Sequence, residues 1–365
     1  MDIKVTGKLA VAGVIAGLGV ATIAASTATA QDLSGKTVEF VIPFAESGGS
    51  AAWANFFAPL LSKHLAGNPT VVVRYRPGAG STEGANWFQE QTAADGSIVF
   101  GTSGSTQFPY LLGDPRVRYE YKDWKVVLSS GTGGVVYLPP ELGERFDGDF
   151  DELKDEAFLY GSQGATTLDL VPLLAFKLLG LQVDPVFGVE GRGDGRLMFE
   201  RGEANIDYQT SSAYLKSVVP LVEQKLAVPA FTFGALDAEG NIVRDPTFPD
   251  LPSFKEVCEA TEGCETSGVG WDAWKAFFVS GFAAQKLVYL PGTASQEVVD
   301  MYSKAFSDMI AEPDFATRSE ETLGVYPQGV GKAALIAHDQ ATTVSPEAKK
   351  YVLDWLAEDY GITMQ

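Results

Sequence analysis

The chain has 365 residues, 45% of them hydrophobic, with 47 acidic residues against 27 basic ones. That length is enough for two ordinary domains, and the composition for packed cores. A formal charge of −20 excludes nucleic acid and anionic lipid as partners, and rules out long-range attraction of anions.

Lys4 and Lys8 precede a run over 9–25 that is apolar and rich in Ala and Gly, and Ala28-Thr29-Ala30 is an A-x-A cleavage site ahead of Gln31. The pattern predicts a signal peptide over 1–30, removed after Ala30, and an exported, periplasmic product. The competing reading is a membrane anchor, which the small residues and the cleavage pattern disfavour. The removed segment carries Asp2, Lys4 and Lys8, a net +1, so the mature chain stands at −21.

Val38-Glu39-Phe40-Val41-Ile42 reads as a strand that Pro43-Phe44 ends. Glu46-Ser47-Gly48-Gly49-Ser50 then turns into a helix over 51–64. The device repeats at once. Val71-Val72-Val73 is a buried strand, Pro77-Gly78 stops it, Gly80 and Gly84 leave the backbone bare, and Ser81 is placed to cap a helix over 81–91. Such a turn aims free backbone N–H groups at one point and makes an anion site without a basic side chain. In a parallel sheet both loops sit at the same strand ends, so they are expected to share one ligand. A third strand, Ile98-Val99-Phe100, leads to the polar loop 101–106, either a plain turn or a ligand-facing wall. Strands over 124–130 and 135–138 follow, then an acidic excursion over 139–155.

Phe158-Leu159-Tyr160 opens a further strand–glycine–helix unit through Gly161-Ser162-Gln163-Gly164-Ala165-Thr166-Thr167, with a helix over 168–179 ended by Gly180. Val186-Phe187 is a short strand before Glu190-Gly191-Arg192-Gly193-Asp194, whose adhesion-like tripeptide is a chance match. A helix over 197–203, a strand over 206–209 and a helix start at Thr210 come next. A strand over 227–233 is expected to return to the first domain. The remainder reads as a loop over 236–250, a helix toward Cys258, a strand over 274–282 and helices over 296–310 and 347–360. Cys258 and Cys264, in an exported chain, suit a local disulfide; a metal pair is the alternative, and it lacks nearby histidines.

Catalysis is poorly supported. The glycines around Gly78 are spaced G-x-G-x-x-x-G, not as in a dinucleotide turn. Gly331-Lys332 is followed by Ala333, so no phosphate loop is present, and a G-x-S-x-G elbow around Ser103 fails at Ser105. His64 and His338 read as surface or packing residues, and Trp53 as core more readily than as a ligand stack.

Several segments, in order, resemble one family. Val41-Ile42-Pro43-Phe44 with Gly48-Gly49-Ser50, Arg76-Pro77-Gly78-Ala79-Gly80, Ala94-Asp95-Gly96, Tyr160-Gly161-Ser162-Gln163-Gly164, Phe248-Pro249-Asp250-Leu251-Pro252-Ser253 and Leu290-Pro291-Gly292-Thr293-Ala294 are similar to signatures of the solute-binding proteins of tripartite tricarboxylate transporters, the Bug family. The resemblance implies a type II periplasmic binding protein: two α/β domains joined by crossing strands, with a ligand cleft between them. It places domain 1 at 31–131 and 229–365 and domain 2 at 132–228. It implies a small organic carboxylate (a di- or tricarboxylate or an aromatic acid), membrane transporter subunits as partners, a monomer, and neither cofactor nor metal. The chain departs from the family pattern at Glu46, Ala51 and Glu190, which bears on ligand identity.

The candidate ligand residues are Phe44, Ser47, Gly48, Gly49, Ser50, Gly78, Ala79, Gly80, Ser81, Thr102 and Ser103 on the first domain. On the second they are Ser162, Thr166, Thr167, Gln209 and Thr210. A sensing subunit for a signalling partner uses the same closing cleft, and an exported enzyme is the remaining alternative.

Overall fold

The computed structural model describes residues 1–2 and 32–364. Apart from Met1 and Asp2, the expected signal peptide and its cleavage site lie outside the described residues.

The N-terminal half alternates strands and helices. Strand β1 (Thr37–Ile42) is followed by helix α1 (Gly49–His64), β2 (Thr70–Tyr75) by α2 (Thr82–Gln89), and β3 (Ile98–Gly101) by α3 (Gly104–Leu112). β1 pairs in parallel with both β2 and β3. Parallel neighbours need crossovers, which α1 and α2 supply. All three strands therefore deliver their C-terminal ends, and the loops beyond them, to one edge of the sheet.

Strands β4 (Lys125–Ser130) and β5 (Gly134–Leu138) are neighbours in sequence but belong to different sheets. After the short helix α4 (Pro140–Gly143), β6 (Ala157–Ser162) leads to α5 (Leu170–Leu178), and β7 (Gln182–Phe187) to α6 (Arg192–Glu200). Then come β8 (Asp207–Thr210), β9 (Val228–Thr232) and the small hairpin β10 (Ala235–Leu236) and β11 (Ile242–Val243). β12 (Lys286–Leu290) and β13 (Gln328–Gly329) close the set.

The large sheet runs β13-β4-β12-β3-β1-β2, with β12 antiparallel to both β3 and β4. A second sheet, β8-β5-β9, is antiparallel, and β6 and β7 form a parallel pair. Strand β9 thus joins the sheet of β5 rather than the large one, contrary to the sequence expectation for 227–233.

The large sheet is buried on both faces, as strands with parallel pairing require. Phe40 and Ile42 pack with Trp53, Phe57 and Phe306 on one side, while Val41, Phe100 and Tyr289 pack with Phe88 and Trp124 on the other. Trp53 is 2% exposed and meets Phe40 and Phe57 edge-on, so it is a core residue.

The strand expected over 274–282 is instead helix, Gly268–Phe278 continued by a π turn at Val279–Ala283. The segment is so apolar that its run length suggested a buried strand. Its period is helical, however: Trp271, Trp274 and Phe278 stack successively against Phe254 and Phe282. Cys258 and Cys264 form the expected disulfide, with Cα atoms 5.1 Å apart.

Candidate ligand-binding site

The large sheet has its topological switch between β1 and β3, because α1 leads from β1 to β2 on one side while β3 lies on the other. Ligands of open α/β sheets bind beyond the strand ends at such a point. A small cavity of about 30 Å³ lies there, lined by Phe44, Ser47, Gly48, Gly49 and Ser50 after β1, Ser103 and Ser105 after β3, Gln285 and Lys286 at the head of β12, and Gln163, Leu168, Gly191, Arg192 and Thr210 from the opposite side.

Helix starts surround this cavity. The N-cap of α1 is Gly48 and that of α6 is Gly191, and neither offers a side-chain cap. The first N–H groups of both helices are thus left to other partners. The two termini face each other closely: a Cβ on Gly48 would stand 3.7 Å from the backbone N of Gly193, and one on Gly193 only 2.8 Å from Ser47 Oγ. Each terminus carries partial positive charge. Ser103 caps α3 through a bond accepted from the N–H of Ser105.

The two sides are in contact. Ser212 Oγ donates to Gly49 O at 3.3 Å, the N–H of Leu168 donates to Ser105 Oγ at 3.0 Å, and Arg116 Nη2 donates to Thr166 Oγ1 at 3.3 Å. These three bonds tie the two walls together around the cavity.

Arg192 anchors the far wall. It is buried between Asp169, at 3.3 Å, and Asp207, and also donates to Gly161 O at 2.5 Å. Asp169 further accepts from Ser162 Oγ, the N–H of Gln163 and Tyr208 Oη. Burial pushes the Asp207 carboxyl up, an effect the Arg192 charge opposes. The Arg192-Gly193-Asp194 tripeptide is therefore the first turn of a helix with its arginine locked inside.

On the near wall, Lys286 is 3% exposed, and its ammonium donates to Ser50 Oγ at 3.0 Å. Burial alone pushes this lysine down to about 7.

A second, larger cavity of about 370 Å³ adjoins the first through Gln163, which lines both. Its walls are Pro77, Gly78, Ala79 and Gly80 on one side and Gly164, Thr166, Thr167 and Gly188 to Glu190 on the other, with Arg116 beside them.

The residues nominated from sequence divide among these places. Phe44, Ser47, Gly48, Gly49, Ser50, Ser103 and Thr210 line the small cavity; Gly78, Ala79, Gly80, Thr166 and Thr167 line the larger one. The loops at 47–50 and 78–81 thus face adjoining cavities rather than one point. Several nominated hydroxyls are buried in bonds within the protein, Thr167 and Ser103 among them even though they line the cavities. Ser81 Oγ donates to Ser105 O, Thr102 Oγ1 accepts from Tyr121 Oη, and Ser162 Oγ donates to Asp169. Ser81 sits at the N-cap of α2 without capping it by its side chain. Gln209 is buried with its amide on Arg192 O and Asp207 Oδ2, and lines a separate opening beside Glu46 and Lys216.

Sequence reasoning missed the start of α6, though Gly188 and Gly191 after β7 repeat the strand–glycine–helix signal. It also missed Lys286, whose signal is a lone lysine heading an apolar strand. Neither histidine lines the two cavities: His64 bonds Glu312, and His338 bonds Tyr289.

No family model and no curated protein matches the sequence. Solved structures do match the fold. Periplasmic binding protein BugD superposes with a TM-score of 0.63 at 18% identity, over 90% of this chain and 99% of its own. The fold is that of a periplasmic binding protein. MatC of Rhodopseudomonas palustris, solved with malate, shares this binding-protein fold with a TM-score of 0.61 at 16% identity, over 87% of this chain and 98% of its own. Rpa4515 of R. palustris, solved with adipate, matches with a TM-score of 0.66 at 17% identity, over 90% of this chain and 98% of its own.

Proposed function

We propose that this chain is an extracytoplasmic receptor that binds a small organic carboxylate in the cleft and hands it to a membrane transporter of the tripartite tricarboxylate type. One observation carries the reading: the uncapped N-termini of α1 and α6, from opposite sides of the cleft, converge on one small cavity. Two opposed helix N-termini favour an anion and bind it most strongly when it bridges them. The likeness to binding proteins solved with malate and adipate supports a carboxylate as that anion. The two mobile units follow the sequence division into 31–131 with 229–365 and 132–228, except that β9 moves with the sheet of β5 to which it is bonded. The protein acts as a monomer without cofactor, metal or catalysis, in the periplasm, after loss of residues 1–30.

Such a receptor closes around its ligand, because contacts to both sides are complete only in the closed form. Calorimetry against acetate, malate, adipate and citrate tests the reading, with small-angle scattering of free and loaded protein. Binding of at least one acid with a decrease in radius of gyration is expected. Failure of all four acids to bind, or binding without compaction, would overturn it.

A further inference from the structure

Every residue of β12 is buried, including the lysine that begins it. Among the described residues, Lys286 Nζ has the Ser50 hydroxyl as its hydrogen-bond partner and no carboxylate as ion-pair partner. Beside it, Gln285 is fully buried, and neither Nε2 nor Oε1 of its amide has a partner among the described residues. Both side chains line the small cavity. A buried ammonium without a counter-charge and a buried amide without a partner are each costly alone. An anion seated between them and the α1 terminus relieves both.

We propose that Lys286 is the cationic floor of the site: its ammonium, with Ser50 Oγ and the Gln285 amide N–H, binds one carboxylate group of the ligand directly. The inference rests on the carboxylate-receptor reading and adds to it the residue that makes the head-group site selective for a charged acid over its neutral amide or ester.

A proton balance follows. In the empty cavity burial holds Lys286 near 7. A carboxylate against it favours the charged form. Above pH 7 the free protein is largely –NH2, so each binding event draws up to one proton from solvent and forms –NH3⁺ against –COO⁻. Below pH 7 the ammonium is already present and no proton is taken up. Affinity is therefore highest at and below neutrality and falls by up to tenfold per pH unit above it.

Other ionisable groups surround the strand without bonding to this ammonium. Arg192 across the cavity is held by Asp169 and Asp207. Lys63 and His64, at the far end of α1, are tied to Glu312. The helix Lys332–Thr342 packs against β12 and brings Lys332, Asp339 and His338, the last bonded to Tyr289. Lys125 lies at the opposite end of β4 from Ser130, the residue paired with Lys286. Glu46 lines the neighbouring opening.

The test is calorimetry with acetate, malate and adipate at pH 6 and pH 8.5, in buffers of unlike ionisation heat so that protons are counted. For wild-type protein we expect uptake approaching one proton at pH 8.5 and near zero at pH 6. Lys286→Met is expected to bind at least a hundredfold more weakly. Lys286→Arg, charged at every pH used, is expected to restore binding without proton uptake, and His338→Gln to leave the proton count unchanged. Wild-type protein that binds none of the acids would sink the receptor reading and this inference with it. Wild-type protein that binds an acid without proton uptake at pH 8.5, or a folded Lys286→Met that binds it as tightly, would overturn the role of Lys286 and leave the receptor standing.

Discussion

Gly49 and Thr210 meet across the cleft so closely that a methyl group on the glycine would stand 2.1 Å from the threonine hydroxyl oxygen. The contact joins the first residue of α1 to the end of β8. Ser212 Oγ, also across the cleft, would stand 2.9 Å from the same methyl, whereas the backbone itself needs no glycine, since its φ is not in the left-handed region.

Gly49→Ala should therefore hold the cleft ajar while leaving each side folded. Alanine is better than glycine inside a helix by about 1 kcal/mol, so thermal stability of the free protein should hold or rise. Affinity for the best acid of the panel should fall roughly tenfold or more, about 1.4 kcal/mol. Calorimetry paired with a melting curve separates the two effects, and unchanged affinity would mean the contact is not part of the bound state.

The Lys286 ammonium also leaves a mark on the empty protein. Its folded value is pushed down to about 7 from an ordinary 10.5. Between those values the unfolded chain binds the extra proton, so stability rises with pH across that window and is lowest below it. The difference amounts to roughly 3–5 kcal/mol. Urea unfolding at pH 6 and pH 9.5 should show Lys286→Met gaining more over wild type at pH 6 than at pH 9.5. Equal gains at both would show the ammonium is not desolvated.

Arg192 is the opposite case, a buried cation with two anions. Arg192→Met strands Asp169 and Asp207 and should cost about 3–5 kcal/mol. The exposed i,i+4 pair Lys350–Asp354 serves as control, and Lys350→Ala should cost under about 0.5 kcal/mol. Chemical denaturation of the two variants checks the ranking.

The disulfide closes a separation of only six residues. A loop so short restricts the unfolded chain little, and replacing both cysteines with serine should cost about 2 kcal/mol. Thiol titration of the unreduced, unfolded wild type should find no free thiol.

The parts of this fold that could be read from sequence are those where local and tertiary preferences agree. The helix over 296–310 is legible to the residue because an apolar stripe runs along it at helical spacing, and the structure adds Ser295 as its cap. The strands before the glycine loops were clear for the same reason: β-branched runs stopped by proline or glycine. The helix over 268–278 is hard to read because Trp271, Ala273, Trp274, Ala276, Phe277 and Phe278 crowd into an apolar run broken only by Asp272 and Lys275, which mimics a buried strand although one face, with Val269 and Asp272, is exposed. The helix over 104–112 was missed because Gly104, Pro109 and a polar start argue locally against it; the capping box of Ser103 and Thr106 and its buried position override them. The loops at 47–50 and 161–167 could be named as ligand-facing, but not which hydroxyls remain free. Ser162 and Thr166 look alike in sequence; one is spent on Asp169 and the other opens onto a cavity. Lys286 was hidden because its partners come from residues more than two hundred positions away, at Ser50.

The insertion of β12 between β3 and β4 also governs the order in which the molecule can be made. Until residues 286–290 of the 365-residue chain exist, β3 and β4 have no strand to join them, and the large sheet is two fragments with open edges. Pairing across so long a separation is slow, because a large loop must close before the contacts repay it. A chain halted before residue 286 thus lacks both the staple of its main sheet and the lysine beneath its ligand, and nascent fragments of this protein should be sensitive to protease until synthesis is almost over.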